Sequence, residues 1–211
     1  MTCSKTSSLN AALAAMATTE RQIAAEPVVT ANRIANASQM LENAGWRRSV
    51  AGDDDFAVGV EAFVKCAFSN PAKGILVTGN SGVGKTAYAK AVQGYFRKGN
   101  VLCLDLANPE TLNLIDFQSN PDIALNFCHS TLILDDLGAE PTQSNFGQPR
   151  EIAAEFIMRY HAERSDKRMF ITTNLTAAEL VDRYQQRIFT RLKDLILPIA
   201  FTGKNKRGGA A

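Results

Sequence analysis

Eight consecutive residues, Gly79-Asn80-Ser81-Gly82-Val83-Gly84-Lys85-Thr86, spell a complete G-x-x-x-x-G-K-[ST] pattern. Glycines at these positions let the backbone curl until successive N–H groups point inward at phosphate oxygens. A helix starting at the end of the loop adds its positive end to the same place. Lys85 is then placed to reach the β and γ phosphates of a nucleotide, and the Thr86 hydroxyl to ligate Mg²⁺.

Fifty residues after Lys85, the apolar run Thr131-Leu132-Ile133-Leu134 ends in Asp135-Asp136. A buried strand delivering two carboxylates at its tip would set them beside the phosphate loop, where a divalent cation offsets their repulsion. Asp135 is the candidate for holding Mg²⁺, largely through water, and Asp136 for orienting or deprotonating an attacking water. Taken alone, a pair of acids after an apolar run also suits a turn. A second apolar run, Met169 to Thr173, ends at Asn174. Its amide could bond a γ-phosphate or a water between phosphate and carboxylate, or it could open the turn before Thr176. Further on, Arg187 and Arg191 stand four apart, so on a helix they share a face. Two guanidinium groups there can clamp a phosphate in bidentate geometry, or pair with Asp182 or Asp194 on the surface.

These residues need a scaffold that brings distant segments to one edge. Five short apolar runs, Ile75–Thr78, Val101–Leu106, Thr131–Leu134, Met169–Thr173 and Leu197–Phe201, alternate with helical stretches. Between the first two, Tyr88, Ala91, Val92 and Tyr95 recur at helical spacing, with Arg97, Lys98 and Gly99 as end signals. Ala153, Phe156, Ile157 and Tyr160 repeat that spacing, and Thr176-Ala-Ala-Glu179 is a capping box opening another helix. Strands too apolar to alternate faces imply an α/β fold with a parallel sheet covered on both sides. Ligands of such sheets lie beyond the carboxyl ends of the strands, where the phosphate loop, the acids and Asn174 all fall.

Residues 1–50 are Ala-rich and read as a helical N-terminal arm, with helices over Leu9–Ala25 and Thr30–Ala44. Residues 51–211 read as the core domain. Gly52-Asp53-Asp54-Asp55 looks like a turn or linker before a helix from Phe56 to Phe68. With 211 residues, 45% hydrophobic and 21% charged, the chain fits one globular domain plus an arm, which excludes a rod or a disordered chain. No apolar stretch is long enough for a membrane helix. The run Leu9 to Ala17 after Lys5 loosely resembles a secretion signal, but Asn10 interrupts it and Leu9, Leu13, Met16 and Ile23 recur near helical period. Cys3, Cys66, Cys103 and Cys128 lack metal-ligand spacing apart from the adjacent Cys128-His129, so free thiols in a reducing cytoplasm are expected. Net charge is +2, yet Arg183 to Ala211 carries seven basic residues against Asp194 alone, giving that segment +6 and the rest −4. Such a segment suits phosphate or nucleic-acid contact, or a solvated helix face and tail.

The phosphate loop, Leu132-Ile-Leu-Asp-Asp-Leu-Gly-Ala-Glu140, Phe170-Ile-Thr-Thr-Asn-Leu-Thr-Ala-Ala-Glu-Leu180, Arg187-Ile-Phe-Thr-Arg-Leu192 and the ending Pro198 to Arg207 occur in an order that resembles the AAA+ core of DnaC/DnaI-type helicase loaders. The related IstB-type transposition ATPases are similar too. The resemblance spans about Ala44 to Arg207. It implies a three-layer P-loop NTPase of AAA+ type, with a five-stranded parallel sheet ordered 5-1-4-3-2 and Asn174 as sensor 1. It implies Arg191 as a finger inserted into a neighbouring subunit's ATP site, with Arg187 beside it. Only ten residues follow Phe201, so no C-terminal lid domain is expected, and the adenine pocket would depend on Gly52 to Val60. The resulting expectation is an oligomeric, cytoplasmic ATPase that binds ATP and Mg²⁺, contacts single-stranded DNA, and loads or remodels a replicative helicase. An IstB-like regulator of a transposase, a small-molecule P-loop kinase and a nucleotide-dependent scaffold without hydrolysis are the rival readings.

Overall fold

The computed structural model describes residues 30–68, 74–95, 101–116, 119–120, 122, 131–145, 148–163 and 168–205. The expected helix over Leu9–Ala25, the end signals Arg97 to Gly99, and Cys3, Cys128, His129, Lys206 and Arg207 lie outside them. In chain order the elements are α1 (Ala31–Asn43), α2 (Arg48–Ala51), α3 (Asp53–Phe68), β1 (Gly74–Gly79), α4 (Lys85–Tyr95), β2 (Val101–Asp105) and α5 (Pro109–Ile115). There follow β3 (Thr131–Leu137), β4 (Gln143–Asn145), β5 (Gln148–Arg150), α6 (Ile152–Glu163), β6 (Met169–Thr173), α7 (Ala177–Leu195) and β7 (Ile196–Phe201).

All five expected strands form one sheet in the order β2-β3-β6-β1-β7, and every pairing in it is parallel. Counted along the chain this is 5-1-4-3-2, as the resemblance implied. Alternate residues of β1, β3, β6 and β7 feed two separate cores. Ile75, Val77, Ile133 and Phe170 pack under α1, α3 and α4, while Leu76, Leu132, Leu134 and Ile171 pack under α5, α6 and α7. Both faces are therefore apolar, which is why the strands read as continuous hydrophobic runs. Placing β6 between β1 and β3 brings the ends of three strands, and so the loop, Asn174 and the acids, to one edge.

Two expectations about the first part of the chain are changed. Asp53, Asp54 and Asp55 form the first turn of α3, where carboxylates favour the positive end of the helix, and the break before it is Gly52 alone at φ 90°. Of the segment read as an arm, α1 starts on the Thr30 cap and stops at Gly45 as expected, yet Ala37, Leu41 and Trp46 are buried in the α3/α4 core. Trp46 is fully buried, stacked on Phe56 (ring centroids 5.0 Å apart) and Phe201 (5.7 Å) and edge-on to Tyr88 (4.7 Å).

Gly59 of α3 faces this indole so closely that a Cβ added there would overlap its Cη2. In an open helix Gly→Ala would gain up to about 1 kcal/mol of propensity. Here the indole is wedged among three rings, and overpacking costs about 1–3 kcal/mol. Gly59→Ala is therefore expected to lower the urea midpoint of unfolding; a raised midpoint would show that the ring stack yields.

Cys66 is buried, and burial pushes its thiol up to about 12, so it acts as core filler. Cys103 is exposed on the edge strand β2. Among the described residues no helix is long and apolar enough to cross a membrane.

Candidate nucleotide site

The phosphate loop leaves β1 at Gly79 and enters α4 at Lys85. Its three glycines hold φ values of 141° (Gly79), 82° (Gly82) and 103° (Gly84), a region that side chains rarely enter. A Cβ on Gly79 would also overlap the carbonyl oxygen of Phe201 on the neighbouring strand. The loop opens into a cleft of about 360 Å³ whose walls include Ser81, Gly82, Lys85 and Thr86 on one side and Asp136 and Asn174 on the other. Ser49 and Val50 of α2, just ahead of the stretch Gly52 to Val60, also line it.

Lys85 is 5% exposed and its ammonium has a full set of acceptors. Nζ donates to Gly79 O (2.7 Å), Asn80 O (2.8 Å) and Asn174 Oδ1 (2.7 Å). The lysine thus ties the first residues of the loop to the end of β6, and Asn174 stands between loop and acids. Three donors on a flexible stem can be handed to a phosphate without moving the backbone.

The acids are aimed by a local departure from regular strand geometry. Pairing of β3 with β6 shifts register between Leu134 and Leu137, and Asp136 takes φ 59°, which aspartate tolerates better than most residues. Thr172 holds the step from β6: its hydroxyl donates to Asp135 Oδ1 (2.5 Å) and accepts from the Asp136 N–H (2.9 Å). Asp135 is left buried behind the cleft while Asp136 lines it. Thr173 Oγ1 secures the same turn by donating to Leu137 O (2.5 Å).

A second network, not foreseen, locks the turn after the acids. Arg183, counted in the basic segment, donates to Gly138 O (2.5 Å) and Glu140 O (2.5 Å) and pairs with Glu151 (3.1 Å). Tyr184 donates to the buried Glu140 carboxylate, whose other oxygen accepts from the Gly138 N–H (2.8 Å). Burial and the adjacent Glu140 push the Tyr184 phenol well above its ordinary range, so it stays a donor. Arg183 is thus committed inside the fold. The sequence hinted at this only through Glu140, an acid close behind the pair.

Helix α7 opens with the expected capping box of Thr176 and Glu179, then breaks at Gln185 (φ 66°, ψ 158°). Arg187 and Arg191 lie in its second half; the Arg187 side chain is outside what is described, and Arg191 is exposed. Neither belongs to the described lining of the cleft. The loop's glycine conformations and the lysine fit a nucleotide's phosphates. Thr86 and Asp136 both line the cleft, and a hydroxyl with a carboxylate suits a hard cation such as Mg²⁺, while Asp135 stands behind them, bonded to Thr172.

No protein-family model and no curated protein matches the sequence. Solved structures do. The DnaC helicase loader superposes with a TM-score of 0.51 at 20% identity, covering 74% of this chain and 91% of that one. A putative primosome component from Streptococcus pyogenes serotype M3 gives 0.50 at 20% identity, with 74% and 82% covered. Domain III of the Thermotoga maritima replication initiation protein DnaA gives 0.51 at 15% identity, with 71% and 64% covered. With its 5-1-4-3-2 sheet and a phosphate loop at the end of the first strand, the chain shares the fold of these structures.

Proposed function

We propose that the protein is an ATPase of DNA replication that loads or remodels a replicative helicase on single-stranded DNA. The observation that carries the reading is the Lys85–Asn174 contact, which ties the phosphate loop to the end of β6 in a cleft that Asp136 of β3 also lines. In the proposed roles the loop from Gly79 to Thr86 binds the triphosphate, with Asn80, Ser81 and Val83 contributing backbone and Lys85 its charge. Thr86 and Asp135 hold Mg²⁺, which supplies charge neutralisation at the phosphates. Asp136 orients water, Asn174 holds it in line, and Arg191, with Arg187 beside it, acts from an adjoining subunit.

Support for the replication assignment comes from the DnaC and DnaA neighbours and from the basic residues of the last segment. Lys204 is exposed beyond β7, as Arg191 is on α7. A homo-oligomer follows from the proposed position of Arg191, because a finger outside its own cleft needs another copy's cleft to act on.

The test is ATP turnover with and without single-stranded oligonucleotide, on the wild type and Asp136→Asn. The variant is expected to bind ATP normally while single-turnover hydrolysis falls about 10²–10⁴-fold, the usual contribution of a positioned acid–base group. Unchanged hydrolysis would remove Asp136 from the chemistry, and absent hydrolysis by the wild type would leave a nucleotide-dependent scaffold. Co-purification with a hexameric helicase supports the loader; recovery of a transposase instead would favour the IstB-like alternative.

A further inference from the structure

After β7 the chain turns back over the nucleotide site. Asp55, 3% exposed in the first turn of α3, accepts the Thr202 N–H through Oδ1 (2.8 Å) and the Gly203 N–H through Oδ2 (2.8 Å). Backbone amides on an ionised carboxylate are charge-assisted, and the helix N-terminus supports the same charge. The approach depends on glycine, since a Cβ on Gly203 would stand 2.7 Å from Asp55 Oδ2 and 3.3 Å from the Ala51 carbonyl oxygen. Two residues later Asn205 meets the phosphate loop. A Cβ on Gly82 would overlap Asn205 Oδ1 and lie 2.6 Å from its Cγ, so the amide rests directly on the Gly82 backbone.

We propose that Asp55 is a positioning residue for nucleotide binding, and that Thr202–Asn205 is a strap through which it braces the phosphate loop at Gly82. This rests on the reading of the loop as the nucleotide site. Gly82 lines the cleft and has no side chain to hold its φ of 82°. Ordering such a residue costs backbone entropy. A brace that meets this cost during folding leaves less for the ligand to overcome. The buried carboxylate explains why the strap is held 148 positions from its anchor. The exposed Asn205 explains what the strap touches.

The probe is Mg-ADP titrated into the full chain, followed by calorimetry and by Trp46 emission. Trp46 is the only tryptophan in the sequence, and its indole nitrogen lies 3.9 Å from the ideal Cβ position of Gly84. Asn205→Ala is expected to raise Kd, and KM for ATP, about tenfold with kcat and the melting temperature of the free protein unchanged. Asp55→Asn should raise Kd in the same direction, and adding Asn205→Ala to it should produce little further loss, as for residues acting in series. Should Asp55→Asn fail to fold, Gly203→Ala, which displaces the strap by the contacts above, takes its place in the cycle. Wild-type affinity in Asn205→Ala, or fully additive losses in the double variant, would overturn the strap while leaving the loop assignment intact. Absence of Mg-ADP binding by the wild type would overturn both.

Discussion

Lys85→Ala is expected to abolish measurable nucleotide binding. The ammonium is the only side-chain charge among the residues from Gly79 to Thr86, and it already bridges both carbonyls at the loop's start and the Asn174 amide. Truncation does two separable things. It removes the charge-assisted bonds to phosphate, each about twice as strong as a neutral one. It also leaves Gly79 O, Asn80 O and Asn174 Oδ1 without this donor, at half-buried and exposed positions where water can take its place. Affinity should therefore fall beyond detection in a titration with a fluorescent ATP analogue, and urea unfolding should reveal a smaller loss of stability. ATP affinity equal to that of the wild type would remove the basis for the site.

Arg191→Ala should behave in the opposite way, leaving ATP affinity of the isolated subunit near normal while steady-state hydrolysis collapses. Arg191 is exposed and outside the lining of its own cleft, so ground-state binding has no use for it. A guanidinium supplied in trans to developing phosphoryl charge is worth about 10³–10⁵ in turnover. Mixing distinguishes this from a defect within the subunit. A Lys85→Ala chain retains Arg191 and can offer it to the intact cleft of an Arg191→Ala chain, so two inactive preparations should recover part of the activity together. No recovery would argue against a site shared between copies.

What could be read without the fold was what is contiguous. Glycines and a lysine at fixed offsets announce a phosphate cradle because eight adjacent residues make it, and the five strands stood out because burial on both faces leaves unbroken apolar runs. The order of those strands came from the resemblance, since periodicity carries no information about which run lies beside which. Long-range contacts were beyond reach for the same reason: Lys85 and Asn174 are 89 positions apart, and Asp55 and Gly203 are 148 apart. Gly52 to Asp55 reads as a turn or linker in the sequence because acids favour turns and helix starts alike. Arg183 was counted as free charge because composition cannot show that Gly138, Glu140 and Glu151 surround it. The break at Gln185 has neither glycine nor proline to mark it, the usual signs of a kink.

That break has a mechanical consequence. The residues just ahead of it, Arg183 and Tyr184, are fastened to the turn that follows Asp136, and the segment just behind it bears Arg191. The helix is thus a jointed lever whose fulcrum sits on the acidic turn. A displacement of that turn would be carried through Arg183 and Tyr184 to the joint at Gln185, and so to the limb that bears Arg191.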